Sequence, residues 1–575
     1  MATNESLERA IAEVTASGKP FETETIHING VDFIGFVNAP TNLRELYRSG
    51  LRHDVDFYVY DDERYSFNDA WNISARVANK LLALGINPGD RVGVSLRNYP
   101  EWIFAFMGIT SMGGVAVAMN AWWSAEEMEY GIEDSGLKLL FVDQERLERV
   151  GPLAKNLGIE LVTVRCQHDF FRTWQAFIED SSDTMPANEI SPADNATLLY
   201  TSGSTAHPKG VLSTHRSICN ALLGWEAAGA VGYQLTVNEN PALLQRVNSG
   251  ETPTPTNPPS TILSVPLFHV TGLVVQFLSS FRHGRKLVGM YKWDVERALQ
   301  LIEAERITSF NGVPTMSYEL VKSASLGKYD VSSLQSAGGG GAAMAPEQAK
   351  EIDKKIAKGA SGTGWGMTET QGLATSIGGP AFTLRPKSCG RALPPLVRVK
   401  AVDEEGNELP PFETGELCIW GIQNFSGYWN NPDATRETLV DGWVHTGDVG
   451  HLDEDGYVFI TDRMKDIVIR GGENIGCQEV EAALYEHPSV AEASVFGIPD
   501  ERLGETVAAV VCLEPNAELN GDALREFASE RLAQFKVPSR IWIGHERLPR
   551  TASEKIFKRQ IREDILKKLE LETNE

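Results

Sequence analysis

No two of the six cysteines (Cys166, Cys219, Cys389, Cys418, Cys477 and Cys512) stand in a C-x-x-C arrangement in this chain of 575 residues. That scatter suggests no zinc site and no disulfide framework, and it fits reduced thiols in a cytoplasmic protein. A surplus of positive charge is missing too. Lys and Arg number 53 against 78 Asp and Glu, a formal charge of −25, which argues against a nucleic-acid or anionic-membrane binder. The opening residues, Met-Ala-Thr-Asn-Glu-Ser-Leu-Glu-Arg, lack a basic stretch followed by an apolar core, so no secretory signal is read there. An uncharged run covers residues 102–124, but Gly108, Ser111, Gly113, Gly114 and Asn120 interrupt it. It reads as a helix, a glycine break and a buried strand rather than a transmembrane segment.

What is present describes a soluble globular protein. Apolar residues make up 42% and charged residues 23%, and the length exceeds what one core supports, so at least two domains are expected. Residues 1–65 form an acidic leader with little readable chemistry. From Ser66 a helix with Val77, Leu81 and Leu84 on one face ends at Gly85, and a turn leads to the strand around Val92 and Val94. Ser124 and Glu127 have capping-box spacing, and the apolar run Leu139-Leu140-Phe141-Val142 is a buried strand. Strands alternating with helices predict an α/β layer with a largely parallel sheet, whose function gathers at the strands' carboxyl ends. Residues 232–260, rich in Asn and Thr, read as a surface loop. Residues 389–457 turn β-rich and suggest a hairpin-like subdomain, and residues 480–575 a small α+β lid.

The stretch that organises the chain follows the strand-like Leu198, Leu199 and Tyr200. Thr201, Ser202, Gly203, Ser204 and Thr205 are small, and four of them carry hydroxyls. Successive N–H groups in such a turn cradle an anion, and Lys209, between Pro208 and Gly210, adds a cation. The spacing is not that of a Walker loop. The glycine-rich run that continues into Gly341, Ala342 and Ala343 reads as a second loop, where bare backbone can approach a flat ligand. In Gly364-Trp365-Gly366-Met367-Thr368-Glu369-Thr370 the aromatic can stack on adenine, Thr368 can bond a phosphate and Glu369 offers a hard oxygen to Mg²⁺. Asp448 follows Val444-His445-Thr446-Gly447, and its carboxylate suits the two hydroxyls of a ribose.

These motifs, in this order, resemble those of the adenylate-forming superfamily, the acyl-CoA synthetases and their relatives, from about residue 45 to the C-terminus. Ala206 stands where the family usually has Gly, Trp365 where it has Tyr, Cys477 where it commonly has Pro, and Glu554 where it has Gly. The resemblance implies a large N-terminal domain of layered α/β sheets (1–461) and a small mobile C-terminal lid (462–575) that rotates near Lys465. It implies that Asp448 holds the ribose, Arg463 contacts the nucleotide, Gly471 and Gly472 face the pantetheine path, and Lys555 is the catalytic lysine. His269 is placed beside the acid-binding channel. With Trp225, Val313, Pro314 and Met344 it makes a mostly apolar pocket, favouring a fatty or aryl-aliphatic acid. The implied reaction joins a carboxylic acid to CoA through an acyl-adenylate, using ATP and Mg²⁺. Adenylation followed by oxidation, transfer to a carrier-protein thiol and a non-catalytic nucleotide-binding relative stay open, as does a homodimer.

Overall fold

The computed structural model describes residues 4–52, 55–201, 208–240, 257–342, 344–357 and 361–574. Ser202, Gly203, Ser204, Thr205, Ala206 and Ala343 lie outside the described residues. Two sheets make up the large part of the molecule. In the first, Arg91–Ser95, Val115–Ala118, Leu139–Val142 and Glu160–Thr163 run parallel, and Asn195–Thr201 joins parallel to Val115–Ala118. Lys209–Thr214 then returns antiparallel, with Lys209 opposite Thr201. Thr201 and Lys209 are thereby the last described rung of this antiparallel pair, at the carboxyl end of Asn195–Thr201.

Local chemistry sets these elements. The Ser66 side chain and the Asp69 carboxylate close a capping box on helix Phe67–Ala83, and Gly85 turns left-handed after its end. Ser124 and Glu127 do the same for helix Ala125–Ser135. The uncharged run forms helix Pro100–Ser111, buried along its length. The helix carries one charge, Glu101, which pairs with Arg165 Nε at 3.0 Å. Among the described residues no helix is long and apolar enough to cross a membrane.

The second sheet joins Asp56–Tyr60, Lys286–Gly289, Ser260–Leu263, Ser309–Gly312, Ser336–Gly340 and Ser361–Trp365 in parallel. It continues antiparallel through Thr375–Gly378, Gly390–Ala392, Tyr457–Arg463, Trp443–Leu452, Gly415–Trp420 and Arg398–Val402. The β-rich region is therefore an extension of the parallel sheet, not a sheet of its own. A smaller sheet gathers Glu473–Ile475, Val468–Arg470, Gly504–Leu513, Val490–Asp500 and Arg540–Gly544. Its core (Val468, Val480, Leu484, Val495, Val507, Leu524) is separate from those of the larger part.

Three expectations change. Residues 336–340 are a strand paired on both sides, not a loop. A Cβ on Gly339 would meet Pro314 N at 2.8 Å, so glycine lets helix Pro314–Lys322 start directly on the strand. Residues 232–239 complete the helix His215–Glu239. The leader folds into helix Asn4–Thr15, the hairpin Thr23–Ile28 with Val31–Phe36, and helix Leu43–Gly50.

Candidate functional site

The hairpin Asn195–Thr201/Lys209–Thr214 meets the Thr368–Thr370 turn through one aromatic residue that sequence reasoning missed. Tyr428 pairs opposite Val211, on the outer side of Lys209–Thr214. Its hydroxyl donates to Glu369 Oε1 at 2.7 Å, and Lys209 Nζ lies 4.9 Å from its ring centroid. Phe425 N–H donates to the Glu369 carbonyl at 2.7 Å, and Gln371 Nε2 to Ser213 Oγ at 2.7 Å. Burial pushes the Glu369 carboxyl up, while the Tyr428 hydroxyl and the charges of Arg463 and Lys209 oppose that shift. Glu369 is thus a buried carboxylate (5% exposed) that has, among the described residues, no full counter-charge at hydrogen-bond distance, a setting that a bound cation would satisfy. Thr368, beside it, is half-buried.

A second group centres on Asp448. The Trp365 indole N–H donates to Asp448 Oδ2 at 2.7 Å, and Arg463 Nε stands 3.0 Å from Oδ1. Asp448 and Arg463 are register partners across Trp443–Leu452 and Tyr457–Arg463. Each carboxylate oxygen has two lone pairs, so one acceptor position on each remains for a diol. Burial pushes this carboxyl up and Arg463 holds it down. Trp365 is 8% exposed and packs with Leu373, Ala374 and Leu396. Its main described role here is to fix Asp448. Gly366 follows it in the connection to the Thr368 turn.

Lys555 reaches this region from the C-terminal end. A Cβ added to Gly341, which has φ 79°, would lie 3.1 Å from Lys555 Nζ, so the bare end of strand Ser336–Gly340 makes room for the ammonium. Ala342 follows, exposed. Burial and the Arg463 charge pull Lys555 down to about 8, against Asp448. His269 lies close enough for Lys555 to act on it, and burial followed by that charge pulls its imidazole down to about 3. It is therefore neutral at physiological pH. A π-helix, Thr271–Leu278, begins two residues later, a form common at functional sites.

The loop that carries Lys555 is held by its neighbours. Glu554 N–H donates to the Thr551 carbonyl at 2.9 Å, and Arg550 Nη1 to the Glu554 carbonyl at 2.8 Å. Thr315 Oγ1 donates to that same carbonyl at 3.4 Å from helix Pro314–Lys322. The Glu554 side chain is 20% exposed and faces Arg547 at 3.8 Å. It neither pairs with Lys555 nor projects into solvent. Glu319 on helix Pro314–Lys322 binds Arg547 and lies 3.4 Å from Arg550, which also binds Glu492. Lys322 pairs with Glu514 at 3.3 Å. These charged contacts, invisible in the sequence, join the two parts of the chain.

The remaining residues spread over the site's edges. Lys465 is exposed between the last strand of the large sheet, Tyr457–Arg463, and the first of the small one, Val468–Arg470. Gly471 and Gly472 form the two-residue tip of Val468–Arg470/Glu473–Ile475, with φ 60° and 91°, the backbone of a type I′ turn. Val313 and Met344 are buried in one cluster, and Pro314 starts the helix at Val313. Trp225 packs in another cluster, with Trp365. The structure does not gather all five pocket residues into one core. Trp225 Nε1 and His269 Nδ1 are nonetheless both buried without a hydrogen-bond partner among the described residues, which costs about 1–3 kcal/mol each until a ligand satisfies them.

Comparison with known proteins sets this geometry in context. Residues 49–429 match the AMP-binding enzyme family, and residues 479–555 match the AMP-binding enzyme C-terminal domain. The chain is 33% identical over 540 residues to the long-chain-fatty-acid–CoA ligase of Bacillus subtilis, covering 89% of this chain and 91% of that protein. It is 34% identical to the fatty acid–[acyl-carrier-protein] ligase ScoC of Streptomyces coeruleorubidus, over 85% of this chain and 89% of that one. The structure superposes on ATP-bound MatB from Rhodopseudomonas palustris with a TM-score of 0.78 at 27% identity, over 91% of this chain and 99% of that one. With both of the family's domains matched in order along the chain, the chain belongs to the AMP-binding enzymes.

Proposed function

We propose that this protein joins a carboxylic acid to CoA in two steps on one site. In the first, a carboxylate oxygen of the acid attacks the α-phosphorus of ATP, and the bond to pyrophosphate breaks. In the second, the CoA thiolate attacks the acyl carbon and AMP leaves. The observation that carries the reading is the meeting of Lys555 Nζ with Gly341 beside the Trp365–Asp448–Arg463 group. A nucleotide whose ribose lies on Asp448 then has its phosphates between Lys209 and Lys555. Two fixed cations lower the repulsion between the incoming carboxylate and the triphosphate and stabilise charge that builds at the α-phosphate. Glu369, assisted by Thr368, is the residue set that would hold Mg²⁺, which when bound adds positive charge against the triphosphate.

Lys555 cannot serve both steps if CoA enters along the same face. A rotation of residues beyond about 462 around Lys465 brings the Gly471-Gly472 tip to the site in its place. The buried, apolar Val313 and Met344 and the neutral His269 favour a fatty or aryl-aliphatic acid over acetate. The ScoC relative favours a second reading, in which a carrier-protein thiol replaces CoA. A panel of carboxylic acids, assayed for AMP release with CoA or with a carrier protein as acceptor, separates the two. Lys555→Ala is expected to block pyrophosphate formation yet still convert supplied acyl-adenylate to thioester. Lys465→Pro is expected to do the reverse, since it fixes φ and removes an N–H at the pivot. Equal loss of both halves in both variants, with folding intact, would sink the two-conformation mechanism.

A further inference from the structure

On the strand that carries Asp448, the ladder of Gly415–Trp420 and Trp443–Leu452 carries three unlike donors on one face. Cys418 stands opposite His445. Glu416 lies two residues before Cys418, on the same face by the alternation of a strand, while Leu417 and Ile419 point into the core. A carboxylate oxygen of Glu416, Cys418 Sγ and His445 Nδ1 all lie within 4.8 Å of one another. The sulfur is 3.6 Å from Nδ1, and Nδ1 is 2.7 Å from Glu416 Oε2. Bonds of about 2.3 Å to sulfur and about 2.0 Å to nitrogen, at a tetrahedral angle, put the two ligand atoms about 3.5 Å apart. The Cys–His edge already has that length, and the His–Glu edge has to open.

A His–Glu pair that pins two strands would explain part of this group, but not the thiol beneath it. Cys418 is itself buried, with its sulfur 3.6 Å from His445 Nδ1.

We propose that Glu416, Cys418 and His445 bind a thiophilic divalent cation of the Zn²⁺ class through carboxylate oxygen, thiolate sulfur and imidazole Nδ1. Binding forms the metal–sulfur bond and releases the Cys418 proton to solvent. The thiolate and carboxylate together carry two negative charges, which the cation neutralises within a half-buried site. Glu416 and His445 keep 19% and 28% of their side-chain surface exposed, enough for entry and for water as a fourth ligand. Thiolate and imidazole select this class over Mg²⁺, which prefers oxygen donors.

The site also bears on the nucleotide. Glu416 Oε1 accepts the Gly447 N–H at 2.9 Å. Thr446 Oγ1 donates to the Leu417 carbonyl at 2.6 Å and accepts the Asp448 N–H at 3.0 Å. A cation that draws Glu416 away frees Gly447 beside Asp448, so occupancy weakens ATP binding. This consequence rests on the ribose assignment above, whereas the binding itself does not.

The test titrates the reduced, desalted full chain with Cd²⁺ and reads the thiolate-to-metal charge-transfer absorption together with equilibrium dialysis. Wild type is expected to take up one equivalent with that absorption. Cys418→Ser is expected to lose both, and His445→Gln to bind about 100-fold more weakly or worse, more than loss of an outer-shell group usually costs. Glu416→Gln retains an acceptor for the Gly447 N–H and removes the anion. Weaker uptake there, at an unchanged melting temperature, is the third expected result. No equivalent bound by wild type, or an absorption that persists in Cys418→Ser, overturns the site. A Zn²⁺-dependent rise in KM for ATP, absent in Cys418→Ser, checks the consequence. Uptake without that rise retains the site and removes its link to the nucleotide.

Discussion

The hairpin tip at Gly471-Gly472 and the loop before Lys555 both need left-handed backbone, and they obtain it by different means. The tip uses two glycines, at φ 60° and 91°, and a Cβ on Gly472 would meet nothing within 4 Å. The loop uses Glu554, at φ 63°, where an ordinary residue is strained by about 1–2 kcal/mol. The strain persists because the loop is over-determined. The Glu554 carbonyl is held by Arg550 and Thr315, and its side chain lies beside Arg547. A free turn relies on glycine's conformational freedom, whereas a clamped one can carry a side chain. The difference ties the position of Lys555 to a charged cluster instead of to its own backbone.

The largest test of that contrast removes the clamp. Arg550→Ala removes one of the two donors to the Glu554 carbonyl and the closest cation of the Glu492 carboxylate together. A misplacement of Lys555 by about 1 Å is expected to cut pyrophosphate exchange about 100-fold, while conversion of supplied acyl-adenylate continues. Single-turnover measurement of each half checks this, and equal losses in both would remove the clamp from the mechanism. Next comes Gly472→Val, which puts a β-branched residue at φ 91° in a turn with no clamp. We expect the protein to lose roughly 1–2 kcal/mol in denaturant melts and to slow in the thioester half alone.

The lysine's own titration follows. Lys555 must be protonated to meet the phosphates, and in the free enzyme it loses its proton near pH 8. The kcat/KM for ATP, which reports the free enzyme, should therefore fall as pH rises through about 8. His269, neutral down to about pH 3, should add no step near pH 6.5, the ordinary His value. Lys555→Arg should abolish the alkaline fall even where its maximal rate is low. The smallest effect belongs to Glu554→Gly. Relief of left-handed strain is offset by added freedom in the unfolded chain and by the lost contact with Arg547. Stability is expected to change by less than about 1 kcal/mol, read in the same melts as Gly472→Val.

Caps and periodicity made much of the fold legible. Ser66, Ser124, Gly85 and the apolar quartet 139–142 all do what their residue types dictate. Residues 336–340 were unreadable as a strand because glycine carries no β-branched or aromatic signal, and the strand exists through its neighbours on both sides. The N-terminal elements are short, and their apolar faces close only against remote partners. At the site, Asp448, Arg463 and Lys555 were placed by motif. The bond from Trp365 to Asp448 spans 83 residues, and that from Arg550 to Glu319 spans 231. No local pattern encodes such pairings, and Tyr428 escaped notice for the same reason.

The ladder that pairs Asp448 with Arg463 also limits how this chain can change in length. The two residues are rungs of one antiparallel pair, with a bulge between Val449 and Gly450 that already takes up an irregular residue. Side chains alternate faces along a strand, so one residue inserted in either arm sends every side chain beyond it to the opposite face. Asp448 and Arg463, the last residue of its strand, would part company at a stroke. The exposed turn at Glu454 and Asp455 lies beyond the last rung, where added residues only lengthen a loop. Relatives that grow in this region should have grown there.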